Sequence, residues 1–187
     1  MIPACANGIT SGNNQIIQTD VVQTTAIPNF SKLDANFYRS GQPEGDNYKD
    51  LSALGIKTII SLRLSGSNQT KNERKIVELN GMKFVNIPLN PFLHPNYKQI
   101  QAYYNVLNDP QNLPVLVHCK YGQDRTGIMT ALYRVKAYNW NYDKAYNEMI
   151  DFGYHKTLYS RQKHFLWEYI MSERAIKTMK QKAKRKA

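Results

Sequence analysis

Two cysteines in 187 residues, Cys5 and Cys119, are too few for a disulfide scaffold or a cysteine-rich zinc module. No apolar run approaches the roughly 20 residues that a membrane-spanning helix needs. The opening segment MIPACANGIT lacks the basic stretch and long apolar core of a secretory leader. A cytoplasmic location is therefore the default reading; the mature form of an exported chain whose leader had been removed would look the same. Acidic residues are also scarce, 14 against 25 Lys and Arg, and no Asp/Glu/His cluster calls for a metal. No cofactor is expected. With 42% hydrophobic and 21% charged residues, the composition excludes wholesale disorder, and the length suits one domain with a real core.

The formal charge of +11 is not only a tail effect. Residues 175–187 carry six basic residues and no acid, which leaves 19 against 14, or +5, on the rest. A basic body favours anionic partners, and charge alone does not choose among phosphorylated ligands, nucleic acid and anionic membranes. The expected organisation is an irregular, polar arm over 1–30, with a short strand near Val21 and Val22, a body over 31–174, and a basic tail over 175–187.

Along the body, short β-branched runs alternate with helical patterns. Phe37 to Arg39, Lys57 to Leu62, Lys83 to Leu89 and Pro114 to His118 read as strands. Tyr48, Leu51 and Leu54, then Glu73 to Leu79, then Ile100, Tyr103, Tyr104 and Leu107 read as helices; others are expected near 127–139, 143–151 and 159–180. This order predicts an α/β fold: a central, largely parallel mixed sheet flanked by helices.

The strand PVLVH runs directly into HCKYGQDRTG, residues 118–127, and then into a helix. A strand, a tight loop and a helix N-terminus together aim backbone N–H groups and the positive end of the helix dipole at one point. A cysteine there is biased toward the nucleophilic thiolate, with Arg125 adding to the field. Arg125 offers a planar fork to two phosphate oxygens, and Gly122 permits the turn. A thiolate beside a cradle for a dianion is a phosphoryl-transfer device.

HCKYGQDRTG resembles the HCxxGxxRTG signature of cysteine-based phosphatases, the protein-tyrosine-phosphatase superfamily. NFYRSGQP at 36–43, LGIKTIISLR at 54–63 and FVNIPL at 84–89 resemble landmarks of the plant-and-fungal type of atypical dual-specificity phosphatase and its bacterial relatives, a group that includes tyrosine-phosphatase-like inositol polyphosphatases (phytases). The resemblance implies a protein-tyrosine-phosphatase-like fold and metal-independent hydrolysis of phosphomonoesters. Cys119 matches the nucleophile that carries the phosphocysteine, and Arg125 the arginine that clamps phosphate oxygens. His118 matches the histidine that orders the loop, and Thr126 the hydroxyl that assists the thiolate. Lys120, Tyr121, Gly122, Gln123 and Gly127 are placed as substrate-binding loop residues, with Lys120 adding charge at the mouth.

One departure concerns the general acid, usually an aspartate on the loop after the second long strand. Here that loop is NPFLHPNYKQ, residues 90–99, without Asp or Glu. Asp124, inside the phosphate loop, and His94 both stand as candidates; a very good leaving group would need neither. Arg39 either packs behind the site or reaches it as a substrate-binding residue, and Lys156, Arg161 and Lys163 stand ready to line a wall. The favoured substrate is a phosphorylated anionic small molecule, an inositol polyphosphate. The alternatives are a phosphotyrosine or dual-specificity protein phosphatase acting on a phosphoprotein, and a non-catalytic phosphate- or nucleic-acid-binding module. An intact Cys119 and Arg125 argue against the last, so no nucleic acid partner is expected.

Overall fold

In the computed structural model, residues 27–158 and 160–184 are described. The strand expected near Val21 and the cysteine at position 5 lie outside them. Five strands form one sheet: β1 (Ser31–Lys32), β2 (Phe37–Ser40), β3 (Thr58–Ser61), β4 (Lys83–Asn86) and β5 (Val115–His118), in the spatial order β1-β2-β5-β3-β4. β2, β5, β3 and β4 run parallel, and only β1 is antiparallel. The sheet is thus mixed and largely parallel, as the alternation of elements predicts.

The described residues also form six α-helices: α1 (Asn47–Ala53), α2 (Asn68–Leu79), α3 (Tyr97–Leu107), α4 (Asp124–Tyr138), α5 (Tyr142–Asp151) and α6 (Ser160–Lys184). Successive strand residues face opposite sides of a sheet, and the two cores follow that alternation. Phe37, Ile60, Val115 and Val117 pack against α3, α4, α5 and α6 through Tyr103, Ile128, Leu132, Met149 and Leu166. Tyr38, Ile59, Phe84 and Leu116 pack on the other face against Leu51 of α1 and Val77 of α2. β3 and β5, covered on both faces, consist wholly of buried residues.

Several boundaries move relative to the sequence reading. β1 is two residues long, too short for any periodicity to reveal. α2 begins at Asn68 because Ser67 caps it, its side chain accepting from the Thr70 N–H. α4 begins at Asp124, so the last residues of the phosphate loop form its first turn. Ile27, grouped with the arm, is buried in the α1–α2 core, and α6 carries the basic run as helix as far as Lys184.

Candidate active site

β5 lies between β2 and β3, in register such that His118 is level with Ser40 and with Ser61. Cys119 therefore emerges at the carboxyl end of the central strands, where ligands of open α/β sheets bind. The loop from Cys119 to Gln123 then turns into α4. The N-termini of α2, α3 and α5 are capped by the side chains of Ser67, Asn96 and Asn141, whereas Gln123 places no side-chain cap on α4. The first N–H groups of α4 face the loop that Cys119 opens, an arrangement suited to an anion. Cys119 itself is buried, and Arg125 Nη1 donates to the Leu62 carbonyl at 3.3 Å, which sets the guanidinium beside the end of β3.

The loop is held from below by the segment after β2. Gly122 has φ +74°, and a Cβ there would lie 2.6 Å from Gly41 N and from Ser40 C, so only glycine fits. The Gln42 N–H donates to the Lys120 carbonyl at 3.1 Å, and Asn29 Nδ2 to the Tyr121 carbonyl at 2.8 Å. Arg39 is fully buried; its Nη2 donates to the Gly122 carbonyl and its guanidinium lies 3.7 Å from the Phe152 ring centroid. Arg39 therefore packs behind the loop and exposes none of its surface. Burial pushes its pKa down to about 10, still high enough to keep the charge beneath the cradle at neutral pH.

The support beneath the loop is not visible in the sequence because its members come from α1, α2, β3, β5 and the loop after β2. His118 Nδ1 lies 3.2 Å from the Cys119 carbonyl, and Nε2 lies 2.8 Å from Oε1 of Glu73 on α2. The Nε2 contact is bent away from hydrogen-bond alignment, so it acts as a close electrostatic contact. The Glu73 carboxylate also accepts from Gln42 Nε2 at 2.7 Å, Tyr48 hydroxyl at 3.0 Å and Ser61 hydroxyl at 3.2 Å. Burial alone would raise its pKa; His118, Gln42 and Tyr48 outweigh that and hold it below its usual value. Burial and the Glu73 charge in turn push the Tyr48 hydroxyl up, which keeps it a donor.

The remaining expected residues separate clearly. Asp124 turns to the α5–α6 connection: its Oδ1 accepts from the His155 N–H at 2.9 Å, and Oδ2 lies 3.0 Å from His155 Nδ1. His155 went unnoticed in the sequence because nothing in its spacing links it to residue 124. The Thr126 hydroxyl points to the Ser40 carbonyl at 3.4 Å. Gly127 packs on Met149, and Gln123 packs beside Gly153. Lys120 and Tyr121 are exposed at the mouth, with Lys120 Nζ 4.8 Å from the Tyr121 ring centroid. His94 stacks on Phe165 at 4.8 Å and shares a shallow cleft with Arg161, His164 and Glu168, to which the phosphate loop contributes nothing. Lys163 lies over the Tyr146 ring, and Lys156 is exposed on the α5–α6 connection.

The tyrosine phosphatase family profile matches residues 25–187. The chain belongs to the tyrosine phosphatase family. It is 30% identical over 139 residues to the inositol diphosphatase DSP4 of Arabidopsis thaliana, a match covering 72% of this chain and 69% of the relative. It is also 30% identical over 149 residues to the inositol diphosphatase SIW14 of Saccharomyces cerevisiae, covering 76% of this chain and half of that relative. The dual specificity protein phosphatase TpbA of Pseudomonas aeruginosa is 25% identical over 121 residues, covering 65% of this chain and 53% of its own length. Among solved structures, the core catalytic domain of SIW14 superposes with a TM-score of 0.65 at 25% identity, covering 75% of this chain and 84% of that one. The fold expected from the signature is therefore the fold of the molecule.

Proposed function

We propose that this phosphatase hydrolyses inositol polyphosphates through a phosphocysteine, with the terminal phosphate of a diphosphate group as the favoured target. The observation that carries the substrate reading is the acid problem. Loop 90–99 has no carboxylic acid, and both oxygens of Asp124 are engaged by His155. Expelling an inositol alkoxide requires a proton, because its basicity approaches that of hydroxide, whose conjugate acid has a pKa of about 15.7. Expelling a phosphate monoester from a diphosphate does not, since its second pKa is about 6. The names of two relatives, both inositol diphosphatases, support the same reading.

In the first step the Cys119 thiolate attacks the terminal phosphorus. The S–P bond forms as the P–O bond to the leaving phosphate breaks, with the bonding pair leaving on that oxygen. Arg125 and the first N–H groups of α4 receive the charge on the transferring oxygens. Water then attacks the phosphocysteine, releasing orthophosphate and regenerating the thiolate. The basic body of the protein favours such polyanions over a singly phosphorylated peptide.

The test is phosphate release from a diphosphoinositol polyphosphate, inositol hexakisphosphate and a phosphotyrosine peptide across a range of salt. The expected order of kcat/KM is diphosphate first and peptide last, with the gap narrowing as salt rises. Cys119→Ser should abolish all three. A peptide preferred at every ionic strength overturns the inositol reading.

A further inference from the structure

Beside the phosphate loop lies a cleft of about 290 Å³, near the lower bound of small-molecule sites. Asn47, Arg63, Gln69, Lys120 and Tyr121 line it. We infer that this cleft is the seat of a second phosphate group carried by the same substrate molecule, with Arg63 as the residue that binds it. The inference rests on the polyphosphate reading above and names the residue that would make a polyphosphate the better ligand.

Three observations converge on Arg63. First, its fork is already aimed: Nη1 donates to Gln42 Oε1 at 2.8 Å and Nη2 to Gln69 Oε1 at 2.6 Å. Both acceptors are neutral amides, so these bonds orient the guanidinium without cancelling its charge. Gln42 is itself fixed, its Nε2 donating to the buried Glu73 carboxylate. Second, a second cation faces the same space, since Lys120 lines the cleft and its Nζ rests over the Tyr121 ring rather than on an acid. Glu44 is the one carboxylate on the wall, against the two cations Arg63 and Lys120. Third, the cleft adjoins the reacting centre. Arg125 Nη1 donates to the carbonyl of Leu62, the residue before Arg63, and the Gln42 N–H donates to the Lys120 carbonyl. A phosphate here and one in the cradle would be neighbours on one compact ring.

The experiment measures calorimetric affinities of the Cys119→Ser protein for inositol hexakisphosphate and for inorganic phosphate. Arg63→Gln in that background should reduce the preference for the hexakisphosphate threefold or more, and Arg63→Lys should reduce it less. Asn47→Asp keeps the acceptor that its side chain offers the Glu44 N–H while adding a negative charge to the cleft wall, and should lower the preference in the same direction. It decides the matter should Arg63→Gln fold poorly. A preference changed less than threefold by both Arg63→Gln and Asn47→Asp overturns the seat and leaves the inositol reading intact. If the Cys119→Ser parent binds hexakisphosphate no tighter than inorganic phosphate, the inositol reading itself fails and the seat falls with it.

Discussion

Replacing Glu73 is the sharpest probe of how the phosphate loop is supported. The side chain is 3% exposed and meets four polar partners, Gln42, Tyr48, Ser61 and His118, within 3.2 Å. Glu73→Ala strands all four in a dry interior. Leaving a buried polar group unpaired typically costs about 1–3 kcal/mol, so with partial relaxation of the four a total of about 3–5 kcal/mol is expected. For a domain of this size each kcal/mol lowers Tm by about 2–4 °C, so the expected fall is roughly 6–20 °C at neutral pH. Glu73→Gln fills the same volume and retains one acceptor, and should lose less than half of that. The pH dependence carries a definite sign. Because the folded carboxyl is held below its usual value, its stabilisation is present in full above the unfolded pKa of about 4.3 and is lost as pH falls through the lower folded value. The difference in Tm between wild type and Glu73→Gln should therefore be constant from pH 7 to about 5 and shrink below about 4.3. Thermal melts followed by circular dichroism at several pH values measure this. A Glu73→Ala protein melting within 2 °C of wild type, or a Glu73→Gln difference that persists unchanged to pH 3, would refute the argument.

Two further outcomes follow from the loop. Gly122→Ala forces a side chain into left-handed backbone, costing about 1–2 kcal/mol, and drives its Cβ against the backbone of Ser40 and Gly41; turnover should fall about tenfold or more and Tm by several degrees, and a variant with wild-type kinetics would show that the contact is not needed. Because His155 engages both oxygens of Asp124, Asp124→Asn should slow an inositol monophosphate, a diphosphate and p-nitrophenyl phosphate by similar factors, within about threefold of one another; a loss of about tenfold or more confined to the monophosphate would make Asp124 the acid and remove the argument for a diphosphate target. If His94→Ala gives that leaving-group dependence instead, the proton comes from His94.

How much of this was legible beforehand differs by residue. The signature at 118–127 is contiguous, so the placement of Cys119 and Arg125 on one strand-loop-helix unit follows from local geometry, and the alternation of β-branched runs with helical spacing is enough to specify the parallel sheet. Even the fit of Gly122 is anticipated by a turn that needs positive φ. What crosses between elements was not legible. Arg39 alone could not say whether it faced substrate; the register of β2 against β5 buries it beneath Gly122. Asp124 and His94 looked equivalent as acids until the connection after α5 brought His155 onto one and α6 brought Phe165 onto the other. Nothing in the sequence sets Glu73 or Arg63 apart from the other charged residues. Each gains its partners only because β3 sits beside β5, which sets α2 against the end of the strand that leads into Cys119. Periodicity and motif spacing report what neighbouring residues do for one another, whereas a charge becomes part of a site through partners tens of residues away, and those partners are fixed by strand order and packing.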